Sequence, residues 1–344
     1  MPLSRRFLPA LVPTVLTLLI STPAAPSQEQ PPQTQSQPIR VSVDRVNVGV
    51  IVTDGQGHFV GGLHREDFHV FDNGIEQPLT DFAAIEEPAQ LLLLVEAGPA
   101  VYLLEGGHLR AVYALLNGLS PGDRVAIARY DEAPQPILNF TADKRAASAA
   151  LDQLNFNLGF GQLNLCSSVA IVLDWLAQVP GKKSIILLST GVDTSPPNIA
   201  QALLARLQVS DVRILAVSLT GELSNPQPSG KKPRKKDKGF SDKTAATSAE
   251  FVQAEQQLKA LAGATGGRAY FPASTKDFGE VYADIAQLVR HEYSLAIAPP
   301  AHDGKVHALE IRVNSAPSSA LNSSAPAYHI DHRRAYVAPP PATP

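Results

Sequence analysis

Polar side chains follow two continuous apolar runs of the chain, at the points where those runs end. Glu96 follows residues 91–95, and Thr190 and Asp193 follow residues 184–188. Asn164 stands just before a third apolar stretch. Carboxylate and amide oxygens are groups that bind Mg²⁺ and Ca²⁺, and they also form hydrogen bonds with protein partners. We therefore treat these residues as candidates for one ligand-binding edge.

The apolar runs indicate strands that are buried on both faces, as in a parallel sheet. Stretches with helical spacing alternate with them, so we predict a doubly wound, mostly parallel α/β sheet of Rossmann-like architecture. Such a sheet binds ligands at the carboxyl ends of its strands. The predicted strands cover residues 91–95, 124–128, 137–140, 184–188, 212–217 and 268–271. The predicted helices cover residues 100–119, 142–154, 166–178, 196–208, 249–263 and 278–289.

Both flanks of this region have the texture of β-strands. Alternating valines over residues 46–52 are typical of a half-buried strand. Further N-terminal strands are predicted to begin at about residues 59, 68 and 79. C-terminal strands are predicted at residues 293–297, 309–313 and 328–337. Neither flank alone is long enough to bury a core. We therefore expect the N- and C-terminal strands to form one small β domain together.

The N-terminus has the three-part layout of a secretory signal peptide over residues 1–27, with Arg5 and Arg6 before an apolar stretch. An uncleaved N-terminal anchor is the alternative. The protein is therefore expected to be exported, to the periplasm or the extracellular space. The predicted order continues with a disordered linker (28–39), the first part of the β domain (40–88), the α/β domain (89–292), strands completing the β domain (293–337) and a disordered tail (338–344).

The composition narrows the classes of function. A net charge of −3 is too small for a field that would steer the whole molecule to nucleic acid, and 44% apolar residues suffice for a core. Cys166 is the only cysteine, so an internal disulfide is excluded. Because it begins an apolar helix pattern, we interpret it as a buried structural thiol rather than a nucleophile.

Residues 90–292 resemble a von Willebrand factor type A domain. The resemblance lies in the order of the elements, in the loop after the first apolar strand, in the segment 189–194 and in the segment 261–270. The flanking segments 52–63, 66–74 and 334–336 resemble those of the acidobacterial von Willebrand factor A-related subfamily. The resemblance covers nearly all of the chain after the linker, and it implies the same α/β fold with a small β domain.

The resemblance also implies a metal-ion-dependent adhesion site with oxygen ligands from three loops. In this chain the first-loop aspartate corresponds to Glu96, and the two first-loop serines correspond to Gly98 and Ala100. Neither Gly98 nor Ala100 has a side-chain oxygen. The second-loop threonine corresponds to Leu163, or to Asn164 if the register shifts by one residue.

The third-loop aspartate corresponds to Thr190, which has no charge. Mg²⁺ requires near-octahedral oxygen ligands, so we predict a degenerate site and no cofactor. An alternative keeps a metal: Glu96, Asn164 and Asp193, with Ser167, would form an atypical site for Ca²⁺ or Mg²⁺. The remaining interpretation is that Glu96 and Asp193 are loop carboxylates with local hydrogen bonds.

A basic insertion is a further candidate for a binding surface. The insertion 221–247 contains six basic residues that suit contact with an anionic partner, and these are Lys231, Lys232, Arg234, Lys235, Lys236 and Lys238. The default interpretation of this insertion is a solvated loop.

The nine histidines show no metal-ligand spacing and no evident pairing with a carboxylate, and His329 and His332 suit exposed positions.

The sequence leads to three hypotheses. The first is an exported, non-catalytic protein-binding or adhesion-type module with a degenerate metal site, whose partner is an unknown protein or envelope polymer. The second is a metal-dependent adhesion protein that uses Glu96, Asn164 and Asp193. The third is an envelope enzyme, which requires a catalytic group such as a histidine beside Glu96. No hydrolase elbow or phosphate-binding loop is found, so the first hypothesis is preferred.

Overall fold

The structure is a computed structural model that describes residues 45–85, 88–98, 107–154, 161–221, 248–274, 276–314 and 328–341. The predicted signal peptide, the linker and the six basic residues of the insertion lie outside the described residues, as does Ala100. Within these ranges, no helix is both long enough and apolar enough to cross a membrane.

The central part of the chain forms a six-stranded sheet. Its strands are β5 (Gln90–Glu96), β6 (Arg124–Tyr130), β7 (Pro134–Thr141), β8 (Lys183–Ser189), β9 (Val212–Ser218) and β10 (Ala269–Tyr270). Their order across the sheet is β10-β9-β8-β5-β6-β7, and all neighbours are parallel except the edge pair β6 and β7. This is the strand order of a doubly wound sheet, which reverses direction between β5 and β8.

Six α-helices of the described residues cover both faces of this sheet. They are α1 (Gly107–Gly118), α2 (Lys144–Asp152), α3 (Leu165–Leu176), α4 (Pro197–Gln208), α5 (Ser248–Ala264) and α6 (Phe278–Leu288). Alternate residues of β5 point to opposite faces, so Leu91 and Leu93 pack with α1, α2 and α6, while Leu92 and Leu94 pack with α3, α4 and α5. The predicted α/β fold is therefore confirmed.

Strands from the two flanks form two further four-stranded sheets. The N-terminal strands are β1 (Val46–Thr53), β2 (Phe68–Asp72), β3 (Ile75–Gln77) and β4 (Leu79–Ile85). The C-terminal strands are β11 (Glu292–Ile297), β12 (Val306–Val313), β13 (His329–Asp331) and β14 (Ala335–Val337). The sheet orders are β13-β1-β11-β4 and β14-β12-β2-β3, so each sheet combines strands from both ends of the chain. Both sheets contribute to one apolar core, and we call them the β sandwich.

Two predicted elements of the flanks are wrong. No strand begins at Phe59, which forms only an isolated bridge with Thr53, because Asp54 closes a turn through its side chain. The single strand predicted over residues 328–337 is split into β13 and β14, which belong to different sheets. The chain bends at His332, which is 1% exposed and packs directly on Gly266. The prediction that His332 is exposed was therefore wrong, whereas His329 is exposed as predicted.

Buried ionic contacts join the α/β domain to the β sandwich. Arg268, next to β10, donates to Asp331 Oδ2 and to Thr53 Oγ1, both at 2.7 Å. Arg213 of β9 donates to Glu292 Oε2 at 3.0 Å and to the Gly49 carbonyl at 3.1 Å. The sandwich is thus held against the amino-terminal side of β9 and against β10.

Candidate functional site

The crevice expected of a doubly wound sheet lies at the carboxyl ends of β5 and β8. Glu96 ends β5, Tyr130 ends β6 and Ser189 ends β8, and all three side chains are fully buried. Thr190 follows Ser189 and is 2% exposed. These four residues form a polar cluster that we call the carboxyl edge.

The carboxylate of Glu96 accepts hydrogen bonds at both oxygens. Oε2 accepts from the Thr190 backbone N–H at 2.7 Å, from the Ser189 hydroxyl at 3.0 Å and from the Tyr130 hydroxyl at 3.3 Å. The Thr190 hydroxyl lies 3.1 Å from Oε1 and 2.9 Å from Oε2. The Tyr130 and Ser189 hydroxyls are also 2.6 Å apart. A carboxylate is an acceptor without donors of its own, so this set of donors is matched to its charged form.

Burial has the largest effect on the ionisation of this cluster. Burial raises the pKa of Glu96 above its ordinary value, and the hydrogen bonds from Thr190, Ser189 and Tyr130 oppose that rise. Burial and the nearby Glu96 carboxylate raise the pKa of Tyr130 well above its ordinary value. The tyrosine hydroxyl therefore stays protonated and is available as a donor.

The Leu163 side chain lies close to Gly98, two residues after Glu96. A Cβ atom built on Gly98 would lie 2.9 Å from Leu163 Cδ2 and 3.3 Å from Glu96 Oε1. Leu163 therefore packs directly against the backbone that follows Glu96, and a side chain at position 98 would require Leu163 to move. Leu163 is fixed in turn by two hydrogen bonds with Thr194, at 2.8 and 2.9 Å.

Asn164 and Asp193, the other predicted site residues, have their own local partners. Asn164 Oδ1 accepts from the Thr194 hydroxyl at 3.0 Å, and its Nδ2 donates to the Glu132 carbonyl at 2.9 Å. Asp193 Oδ1 accepts from the backbone N–H groups of Ser195 at 3.0 Å and Cys166 at 3.3 Å. These bonds connect the loop after β8 to the start of α3.

Two neighbours of that loop have equally local contacts. The Ser167 hydroxyl donates to Ser195 Oγ at 3.1 Å. The Cys166 thiol is buried, and burial together with Asp193 raises its pKa. A protonated, buried thiol is a poor nucleophile, which agrees with the structural interpretation of Cys166.

The oxygens at the carboxyl edge do not fit a divalent cation. Both Glu96 oxygens already accept hydrogen bonds, and Gly98 and Leu163 supply no side-chain oxygen. In the ranges that the structure describes, no group of three His, Cys, Asp or Glu side chains is placed to hold a metal ion. The arrangement is instead suited to fix the backbone of the loop after β8, because Thr190 and Ser189 also accept from the N–H groups of Val192 and Gly191.

Sequence reasoning found part of this cluster and missed the rest. It singled out Glu96 and Thr190, which are in direct contact, but it placed Glu96 in a loop, whereas Glu96 ends a strand. It missed Tyr130 and Ser189 as partners of Glu96. The missing signal was positional, since each is the polar residue that ends a strand adjacent to β5.

A histidine paired with a carboxylate was also missed, and it lies in the β sandwich. His307 Nδ1 is 2.8 Å from Asp72 Oδ1, and His307 Nε2 is 3.3 Å from Asp303 Oδ1. The Tyr336 hydroxyl donates to Asp72 Oδ2. No such pairing was evident in the sequence, whereas the structure shows one. The partners come from β12, β2 and β14, and their distance along the sequence hides the cluster.

Comparisons with known proteins give similarity at the level of structure. Neither a comparison with protein families nor one with curated protein sequences gives a match. The chain is similar to a von Willebrand factor type A protein from Catenulispora acidiphila, with a TM-score of 0.45 and 11% identity over 79% of this chain and 74% of that chain. It is also similar to the manganese-loaded TRAP protein of Plasmodium vivax, with a TM-score of 0.40 and 14% identity over 77% and 97%.

A third similar structure is the conserved hypothetical protein BatB from Bacteroides thetaiotaomicron, with a TM-score of 0.39 and 11% identity over 58% of this chain and 98% of that chain. These likenesses concern the fold alone. The strand order by itself describes a doubly wound α/β domain, combined with a β sandwich built from both ends of the chain. The acidobacterial subfamily stays a prediction.

Proposed function

We propose that this protein is a non-catalytic protein-binding module that engages its partner at the carboxyl edge without a divalent cation. The observation that carries the proposal is the buried Glu96 carboxylate, whose oxygens accept hydrogen bonds from Tyr130, Ser189 and Thr190. A carboxylate used in this way orders the loop after β8 instead of coordinating a metal. Binding would then depend on the shape and the hydrogen-bonding groups of that loop.

The outer surface of the same loop supports this proposal. Val192 is 36% exposed, and it lies two residues from Thr190, whose hydroxyl accepts from its backbone N–H. The loop is held by hydrogen bonds to the buried residues Ser189 and Thr190. An exposed apolar side chain on such a loop loses little conformational entropy when a partner covers it. Export to the periplasm or the extracellular space is part of the proposal, and it rests on the signal-peptide layout of residues 1–27.

Calorimetric titration with Mg²⁺, Mn²⁺ and Ca²⁺ tests the absence of a metal. We expect no saturable binding of these ions tighter than about 1 mM to the wild-type chain, because the Glu96 oxygens already accept hydrogen bonds from protein groups. The matched control rebuilds the ligands that the family resemblance implies, through Glu96→Asp, Gly98→Ser, Ala100→Ser, Leu163→Thr and Thr190→Asp together. Leu163→Thr also makes room for the new side chain at position 98.

The rebuilt chain is expected to bind Mn²⁺ more tightly than the wild type. Sub-millimolar binding to the wild-type chain that is lost in Glu96→Ala would overturn the proposal in favour of an atypical metal site. If Asn164→Ala and Asp193→Ala also abolish that binding, the site is the one formed by Glu96, Asn164 and Asp193.

Site-specific photo-crosslinking tests where the partner binds. A photo-reactive residue replaces Val192 at the carboxyl edge, and in a control chain it replaces Val306 of the β sandwich, which is 62% exposed. In the native envelope fraction we expect one crosslinked protein at position 192, unchanged by EDTA, and none at position 306. Crosslinking that disappears with EDTA would show metal-dependent adhesion, and equal crosslinking at both positions would contradict binding at this edge.

A further inference from the structure

A polar cavity lies at the opposite, amino-terminal side of the parallel sheet, where β8 and β9 begin. Its volume is about 70 Å³, which is several times the space that one water molecule requires. The α/β domain supplies Lys182, Lys183, Asp211 and Arg213 to its walls, and the β sandwich supplies Glu292 and Arg333. We call it the amino-edge cavity.

Cations outnumber carboxylates in this cavity. Four basic and two acidic side chains line it, which leaves an excess of two positive charges. Glu292 Oε2 is shared by Lys182 at 3.3 Å and Arg213 at 3.0 Å, and the Glu292 side chain is 12% exposed. Lys183 is 2.7 Å from Asp211, which lies at the solvent-exposed mouth.

Arg333 differs from the other three cations of the cavity in its partners. Its Nη2 donates to the Asn47 carbonyl at 2.7 Å, and no carboxylate within the described ranges forms an ion pair with it. Burial lowers the pKa of the Arg333 guanidinium, which is the expected effect of removing a cation from water without a full counter-charge. A bound anion would offset that cost.

Two buried donors belong to residues that line this cavity. The Nε atoms of Arg213 and Arg333 are both buried, and neither has a hydrogen-bond partner among the described residues. Buried N–H groups in folded proteins are nearly always satisfied by protein, water or an ion. The two side chains come from β9 and from the bend between β13 and β14, so one small ligand would serve both parts of the molecule.

We propose that the amino-edge cavity binds one tetrahedral oxyanion, inorganic sulfate or phosphate, through Arg213 and Arg333. Guanidinium groups present planar sets of N–H donors that match the oxygens of such an ion. Lys182 and Lys183 add charge to the same cavity. The bound ion links the α/β domain to the β sandwich and is independent of the partner-binding edge.

Thermal unfolding of the full chain tests the proposal, with sulfate replacing chloride at constant ionic strength. Sulfate also stabilises proteins without a site, so the comparison must be made with a variant that lacks the site. Arg333→Gln is that variant, and Arg334→Gln is the matched control because Arg334 is exposed and does not line the cavity. We expect a saturable rise in the midpoint for the wild type and for Arg334→Gln, half complete at a concentration on the order of 1 mM.

The sulfate concentration at half-saturation should rise about tenfold or more in Arg333→Gln, since a hydrogen bond to a charged group is lost. Arg333→Lys serves as a second variant that keeps the charge but not the Nε donor, and it should also lose affinity. Equal, non-saturating responses in all variants would overturn the proposal and would mean that only water fills the cavity.

The identity of the oxyanion is tested by separate titrations with phosphate, sulfate and phenyl phosphate. A response to phosphate or sulfate alone identifies a free ion. An equal response to phenyl phosphate would show that the site takes a phosphate group carried by a larger molecule, which contradicts a site for a free ion. A response to nitrate as large as that to sulfate would remove the preference for a divalent tetrahedral ion.

Discussion

The two ends of the parallel sheet handle charge in opposite ways. At the carboxyl edge, one carboxylate is surrounded by hydroxyl and backbone donors, and both of its oxygens have partners. At the amino-edge cavity, guanidinium and ammonium groups exceed the carboxylates, and two guanidinium nitrogens have no partner among the described residues. Both oxygens of the Glu96 carboxylate therefore accept hydrogen bonds, whereas the amino-edge cavity contains N–H donors that have no acceptor among the described residues.

This difference bears on how sites are located in doubly wound folds. The carboxyl ends of the strands are the usual place for ligands. In this chain, however, the charged group at that end is already satisfied, so a ligand there would meet the loop surface and not the carboxylate. The position of a fold's usual site therefore has to be checked against the donors and acceptors that are open.

The largest predicted effect is at the carboxyl edge. Glu96→Ala leaves the Thr190, Ser189 and Tyr130 donors buried without their acceptor, and it opens a cavity. We expect the free energy of unfolding to fall by about 3–5 kcal/mol, as when one member of a buried polar set is removed. Urea denaturation measures it. Glu132→Ala, at an exposed residue near this edge, should change stability by less than about 0.5 kcal/mol.

A smaller effect is expected at the amino-edge cavity, and it should be reversible by an anion. Glu292→Ala leaves Lys182 and Arg213 without their carboxylate and should cost about 2–3 kcal/mol in urea denaturation. Sulfate should restore part of this loss, because an anion replaces the missing charge. In Glu96→Ala the amino-edge cavity is intact, so sulfate should raise stability only as much as it does in the wild type. If sulfate raises the stability of Glu292→Ala no more than that of the wild type, the two ends do not differ as described.

The pH dependence of stability separates the effect of the negative charge on Glu96 from the effect of the size and shape of its side chain. The folded-state pKa of Glu96 is raised above the unfolded value of about 4.3, so the folded chain binds more protons between the two values. The wild type should therefore lose stability relative to Glu96→Gln as pH rises from about 4.3 through the raised pKa, and the difference should be constant above it. The direction of this change follows from the raised pKa of Glu96. Parallel stability curves from pH 4 to pH 8 would rule this out.

The smallest predicted effect concerns the leucine above the carboxyl edge. Gly98→Ala places a methyl group 2.9 Å from Leu163 Cδ2, so the leucine side chain has to move, at a cost of about 1 kcal/mol. Because the contact is with the end of a flexible side chain, the cost should nearly vanish in a Leu163→Ala background. A double-mutant cycle measures the coupling. Additive effects would show that Leu163 does not close this position.

The sequence predicted the α/β sheet well because its signal is local. Each apolar run of about five residues is long enough to define a buried strand, and the alternation with helical stretches defines the architecture. Glu96 and Thr190 could be assigned to one edge for the same reason, since parallel strands end on the same side. The correspondence of Leu163 and Thr190 to ligand positions comes from the family resemblance, and it stays a prediction.

The remaining contacts depend on three-dimensional structure. Tyr130 looks like an ordinary core residue in the sequence, and its role appears only when β6 is placed beside β5. The amino-edge cavity combines residues from distant segments, and no spacing connects Lys182 with Glu292 or Arg333. His332 is polar but buried, because the chain has to bend over Gly266 to move from one sheet to the other.

The pairing of β1 has a consequence for how the chain folds during synthesis. β1 forms its hydrogen bonds with β11 and β13, which are made more than two hundred residues later. At about 5–20 residues per second, β1 waits about 10–50 s for its first partner, while β5 to β10 can already assemble with one another. During that time a valine-rich strand is exposed without a neighbour, which is the feature that promotes aggregation. We therefore expect a nascent chain of this protein to aggregate less when its N-terminal strand is protected until its last segments have been made.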